Sequence, residues 1–367
     1  MTKQFNNFFD ENYIRNLQLD SFETNITVLS SNSYKLVSKT YNKIVVLNKV
    51  SFSNKYAMKD FINDLRQYGK VELHENILKF IGIIKQNTYG IMFIHEYANE
   101  GTLRQYLDQN FCKLNWNDKL TLAKQLVSAI KCLHESDIVH LNLNPKNIFV
   151  HKGNLKLNVF GAFQYRNKFL NKIKLLQYTD PQYFKNPKNY KLNKSSDIYS
   201  IGVILWEISS GIAPFESELS SELNLLSAII HGKRESAIPG TPKNYVNIYT
   251  ECWKYQPNLR PTIQHVFKKI INIHYNYEEI ITESKDKEYN LTSLLQHILD
   301  LRYELIKELE IISSIIATLD KPLNSLDLRS NGLRSEEGKI LADVLLKITT
   351  ITSLDLYNNK LESEGGK

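Results

Sequence analysis

The chain has 367 residues, 42% hydrophobic and 23% charged, with a formal net charge of +7. That balance excludes a disordered or collagen-like chain and fits one large folded domain or a few smaller ones. The charge is uneven: residues 276–320 hold ten acidic and four basic residues, a net −6 that leaves +13 elsewhere. No nucleic-acid motif accompanies the basic remainder, so we read it as a solvated lysine-rich surface and expect no nucleic-acid partner.

Residues 1–25 are polar with scattered aromatics, and we expect one short helix over 11–19. Three apolar runs, 26–29, 34–37 and 44–47, predict strands. Phe61, Ile62, Leu65, Tyr68 and Val71 fall at helical spacing and predict a helix over 58–71. Strands are expected over 78–84 and 91–97, then a short helix near 101–107. Leu122, Leu126, Ile130 and Leu133 form one stripe of a helix over 118–135. The stretch 138–161, IVHLNLNPKNIFVHKGNLKLNVFG, reads strand, turn, strand, turn, strand, with Pro145 and Gly153 in the turns. Ser195-Ser196-Asp197 opens a helix whose body, 198–208, is apolar on most sides and therefore buried.

Within 138–161 the order of residue types resembles the catalytic loop and metal-binding strand of the eukaryotic protein kinases. The family writes H-R-D-L-x-x-x-N and D-F-G. This chain writes His140-Leu141-Asn142-Leu143-Asn144-Pro145-Lys146-Asn147 and Val159-Phe160-Gly161. The long buried helix, the Gly211-Ile212-Ala213-Pro214-Phe215 stretch, and Cys252-Trp253, Pro257 and Arg260-Pro261 extend the likeness to the tyrosine-kinase-like branch. The resemblance covers about residues 26–274 and implies an α+β, two-lobed kinase-like fold.

The resemblance also implies where a site belongs, and the residues there lack the chemistry. The loop Asp accepts the substrate hydroxyl's proton. Asn142 has no useful basicity, and a positioned general base contributes about 10²–10⁴ in rate. The D of D-F-G carries Mg²⁺, whereas Val159 offers no oxygen to a hard cation. Asn147 and Lys146 match the family, and we read them as stabilising the loop. In the V-A-I-K strand the match is Val45-Val46-Leu47-Asn48: Val46 crowds the adenine pocket and Asn48 replaces the phosphate-binding Lys. Lys49 could substitute for that Lys only through a bulge. Asp64 is the match for the helix Glu that pairs with that Lys. No glycine precedes Gly69, so no glycine-rich loop can bring backbone N–H groups to a phosphate. His95 stands where the family gates the deep pocket and reads as a packed core residue. Asp197 is expected to bind backbone around His140. Gln182 stands for the Glu of the closing Y-x-A-P-E motif, so its bond to Arg260 is expected to be weaker than an ion pair. Leu141 cannot receive a phosphate, so Thr179→Glu is expected to change nothing.

Beyond 275 we expect a charged linker and an amphipathic helix over 291–319. Leu323 and Ile351 then open two segments that repeat at 28 residues, Leu326 to Leu354. They resemble leucine-rich repeats of the ribonuclease-inhibitor type. In that likeness Leu326, Leu328, Leu333, Leu354 and Leu356 point inward and Asn331 and Asn359 bond the turns. The divisions expected are an extension (1–25), a kinase-like domain (26–274, small lobe to about 97, large lobe from about 98), linker and helix (275–320), and an α/β repeat stub (321–367).

Cys112, Cys132 and Cys252 are far apart with no C-x-x-C pair, so we expect reduced thiols and no metal site. No run of 18 apolar residues and no signal-peptide core occurs, so we expect a cytoplasmic protein without a membrane span. The expected function is a pseudokinase, a non-catalytic scaffold or allosteric partner of other signalling proteins, with no cofactor. The alternative is an atypical kinase with relocated catalytic groups, using ATP and Mg.

Overall fold

A computed structural model describes residues 17, 19–23, 25–30, 33–50, 58–85, 90–159, 175–216, 222–238, 241–273, 325–327, 342 and 353–357. The first lobe is an antiparallel five-stranded sheet of β1 (Thr27–Ser30), β2 (Ser33–Ser38), β3 (Lys43–Val50), β4 (Phe80–Lys85) and β5 (Ile91–Glu96), in the order β1-β2-β3-β5-β4. Alternation divides its side chains between two faces. On one face Val50, Ile83, Ile91 and Phe93 join Phe61, Leu65 and Tyr68 of helix α1 (Met58–Gly69) in one core cluster.

The opposite face would be wet in a simple antiparallel sheet. Here Leu36, Val45, Leu47, Ile84, Met92 and Ile94 lie under Phe22 and Leu17. Residues 17–23 are laid across that face by main-chain bonds, from Leu17 N–H to Ile83 O (2.8 Å) and from Glu23 N–H to Val37 O (2.9 Å). The end of the extension is therefore built into the lobe. A single 3₁₀ turn, Leu19–Ser21, lies where the short helix was expected, and residues 11–16 lie outside the described residues.

The second lobe is helical around the hairpin β6 (Ile148–His151) and β7 (Asn154–Leu157). Helix α2 (Leu103–Asn110) precedes α3 (Trp116–Glu135), whose start is fixed by a capping box between Asn115 and Asp118. After the short α4 (Pro181–Lys185) comes α5 (Lys194–Ser210), buried from Ser196 to Ser209. Its N-cap is Asn193, two residues before the expected Ser195, with Ser196 closing the capping box. Helix α6 is Glu222–Ile230, α7 is Lys243–Cys252 and α8 is Ile263–Ile271. Helix α7 packs on α5 and α8 on α3. Gly202 permits the first contact, since a Cβ there would stand 2.9 Å from Tyr249 O. Gly211 ends α5 at φ +75°, in the left-handed cap that glycine adopts without steric cost.

Residues 138–140 form no strand. The N–H groups of His140 and Leu141 go to a carboxylate instead of a neighbouring strand. Farther along, β8 (Ser325–Asp327) and β9 (Ser353–Asp355) pair in parallel, Leu326 opposite Leu354, at the 28-residue interval read from the sequence. Leu354 is 38% exposed, so its expected inward packing is not met in this pair of strands. The helix expected at 291–319 and residues Leu328, Leu333, Asn331 and Asn359 lie outside the described residues.

Two tyrosines on α7 give a stability test. Tyr245 is buried and its hydroxyl donates to Leu205 O at 2.8 Å. The Tyr249 hydroxyl is buried with no hydrogen-bond partner among the described residues. Tyr245→Phe should cost about 1 kcal/mol in urea unfolding, while Tyr249→Phe should cost nothing or add about 1 kcal/mol. Equal losses at both positions would contradict this assignment.

Candidate functional site

The site begins at Asp197, on the first turn of α5 and 1% exposed. Its Oδ2 accepts from His140 N–H (2.8 Å) and His134 Nε2 (2.9 Å), and its Oδ1 from Leu141 N–H (2.8 Å). That grip holds Leu141 at φ +62°, a strained value for a side-chain-bearing residue. His140 is fully buried. Its Nε2 donates to Asn158 O at 3.2 Å, and its Nδ1 accepts from Asn142 N–H at 3.3 Å. The Asn142 carbonyl accepts from Asn144 Nδ2 (2.7 Å) and Asn147 Nδ2 (2.8 Å). Asn147 thus ties the loop together. Lys146 is exposed beside it, with its backbone N–H on Asn144 Oδ1. Val159 follows β7 and is 1% exposed within the main core cluster.

The small lobe supplies the facing wall. Asn48 and Val46 lie on the α1-facing side of β3, opposite Phe93 and His95 of β5. The His95 Nδ1 donates to Glu96 O at 2.7 Å, so its Nε2 accepts from Asn48 Nδ2 at 2.6 Å. Ser33, across the β2–β3 pair, donates its hydroxyl to Asn48 Oδ1. The three side chains form one satisfied polar chain in which the ring is neutral. Burial pushes His95 down to about 4, against the backbone bond to Glu96. Lys49 is exposed on the other face, and β3 keeps an unbroken register with both neighbours. The bulge that Lys49 required is absent from β3. Asp64 is buried on α1 at 5% exposure. On β2, the Lys35 ammonium lies 4.4 Å from the centre of the Tyr97 ring. Across the cleft, the ring centres of His95 and Phe149 are 6.4 Å apart.

The profile of the protein tyrosine and serine/threonine kinases matches residues 25–270. The chain belongs to the protein kinase family. It is 27% identical over 261 residues to integrin-linked protein kinase 1 of Arabidopsis thaliana, covering 67% of this chain and 54% of that one. A probable LIM domain-containing serine/threonine-protein kinase of Dictyostelium discoideum is 28% identical over 220 residues, 58% of this chain and 32% of its own. Cyclic GMP-binding protein C of the same organism is 26% identical over 210 residues, 54% of this chain and 8% of its own. The chain therefore spans about half or less of these curated relatives.

In the kinase frame the fold brings Val46, Asn48 and His95 to one wall and Asn142, Lys146, Asn147 and Val159 to the facing loop and strand. The segment closing the site departs from the sequence expectation. Arg260 pairs with Asp180, not Gln182: its guanidinium meets the two carboxylate oxygens at 2.6 and 3.0 Å, with both side chains fully buried. Tyr190 and Ser196 also donate to Asp180. Gln182 turns away and donates to Tyr255 O. The ion pair is retained, moved two residues to the N-cap of α4, where the carboxylate also accepts from Gln182 N–H. Tyr178 is buried, and its hydroxyl donates to Glu207 at 2.8 Å, beside Arg104 at 2.6 Å. Burial pushes Glu207 up to about 7, against the pull of Arg104. Thr179 is 7% exposed and donates to Leu175 O. Thr179→Glu would bury a charge, so it should destabilise, contrary to the neutral outcome expected from the sequence.

Sequence reading missed Ser33, Lys35, Phe149 and Asp180. Only Asp180 left a signal, as a carboxylate next to the proline that opens α4. Two tests follow from this geometry. Asp180→Asn should lower stability by about 3–5 kcal/mol, because it strands a buried guanidinium, whereas Gln182→Ala should cost about 1 kcal/mol. Thermal and urea unfolding of both variants would check the order. His95 supplies a pH test. The unfolded imidazole titrates near 6.5, and the folded one stays neutral down to about 4. Unfolding therefore takes up a proton between those values. Its stabilisation is complete above pH 6.5 and is lost as pH falls, by at most about 1.4 kcal/mol per unit. His95→Phe should remove that part of the slope.

Proposed function

We propose that this chain is a pseudokinase, which keeps the kinase fold as an interaction scaffold and has given up nucleotide chemistry. The observation that carries the reading is Val159: an apolar side chain, 1% exposed in the core, stands where the family needs a metal-binding carboxylate. The residues present do not fit ATP and Mg. Asn48 has no charge for a phosphate, and its amide is committed to Ser33 and His95. Asn142 cannot act as a base. The absence of glycine before Gly69 denies a phosphate the close backbone approach it needs. Lys49, the residue on which an atypical kinase would have to rely, points away from the cleft.

A scaffold needs surfaces. The kinase-like domain supplies one, for other signalling proteins. The parallel pair β8–β9 supports reading the C-terminal segment as leucine-rich repeats that supply another. No helix among the described residues is long and apolar enough to cross a membrane.

Isothermal calorimetry of the full chain with ATP and Mg should give no binding heat, and radiolabelled ATP with a generic substrate should give no transfer. Asn142→Asp should remain inactive, because the phosphate and metal positions are still unfilled. A Mg-dependent binding heat, or transfer that disappears with Lys49→Ala, would overturn the reading.

A further inference from the structure

The cleft joins the two lobes through its own side chains. His95 stands on β5 in the small lobe and Phe149 on β6 in the large lobe. Their rings are 6.4 Å apart at 44°, within the 4.5–7 Å range of directly interacting aromatic pairs. No layer remains between them for a third ring.

The imidazole is not free to swing aside. The imidazole is held at both nitrogens, by Glu96 O and by Asn48, and Asn48 is held in turn by Ser33. The backbone that carries Phe149 is fixed by its pairing with Lys156 across the hairpin and by a bridge to Thr102. A second joint lies behind α1. There Leu78 N–H donates to Leu157 O (2.8 Å) and Leu157 N–H to Asn76 O (2.7 Å), while Asn76 Nδ2 donates to Leu155 O (3.1 Å). His74 and Ser128 bond there as well, at 3.1 Å. Rotation of one lobe about this rear joint would have to separate His95 from Phe149 at the front.

We propose that Ser33, Asn48, His95 and Phe149 form a built-in strut that holds the lobes at one closure without any ligand. The inference rests on the nucleotide-free reading above and deepens it. The scaffold then shows partners a single surface whatever the nucleotide concentration.

The test uses the full chain with spin labels at positions 43 and 243, both exposed lysines, one in each lobe. Cys112 and Cys132 are replaced by serine, leaving the buried Cys252 unlabelled. Pulsed dipolar spectroscopy of this protein should give one narrow distance distribution, the same with and without ATP and Mg. Phe149→Ala and His95→Ala should each add a longer-distance population. Asn48→Ala, at a half-exposed position with less risk to folding, should do so more weakly by releasing the imidazole. A broad distribution in the parent protein, or variants that are folded by near-ultraviolet circular dichroism yet as narrow as the parent, would overturn the strut. A parent distribution that shifts on adding ATP and Mg would overturn the nucleotide-free reading itself. A broad distribution that ignores ATP would remove only the strut.

Discussion

The Asp197 carboxylate is the constraint on which the rest of the site depends. It is buried at the start of the most buried helix, and three N–H donors from two other segments converge on it. Those three hydrogen bonds satisfy a carboxylate that would be costly to bury without partners. The grip turns the chain sharply at Leu141. From there the asparagine-bonded loop, the β6–β7 hairpin and Val159 follow in fixed order. The family's framework is held here by backbone N–H groups and one carboxylate, none of which takes part in phosphoryl transfer.

The positions that depart from the family motifs are not loose. Asn48 gained two side-chain partners, Asn147 bonds the Asn142 carbonyl, and Val159 joined the core. A buried polar group left without a partner costs about 1–3 kcal/mol, so substitutions at a buried site are tolerated where they satisfy one another. The same logic covers Asp180. With Gln182 in the place of the family's Glu, a carboxylate two residues away pairs with Arg260, and Gln182 donates to a backbone carbonyl. A buried guanidinium tolerates a change of partner far better than the loss of one.

Much of this was legible in the sequence. The strands of the small lobe, helices α1, α3 and α5, the hairpin after Pro145 and the role of Asp197 were all readable from periodicity, turn residues and motif order. The residue types at positions 48, 142 and 159, which differ from the Lys, Asp and Asp of the family motifs, were readable too. The 28-residue repeat was readable as well, and its two strands pair in the expected register.

What the sequence could not supply was the set of partners chosen across space. Ser33 meets Asn48 only because β2 and β3 pair in one register, and His95 meets Phe149 only because the two lobes close on each other. Residues 17–23 read as a polar extension, yet Leu17 and Phe22 cover a sheet face that would otherwise be wet. Residues 138–140 read as a strand by composition, but a carboxylate 57 residues away claimed the His140 N–H. Sequence order determined which groups were available and which chemistry was absent. Tertiary structure decided which groups met, because a buried donor or acceptor takes whichever partner the packing brings within bonding distance.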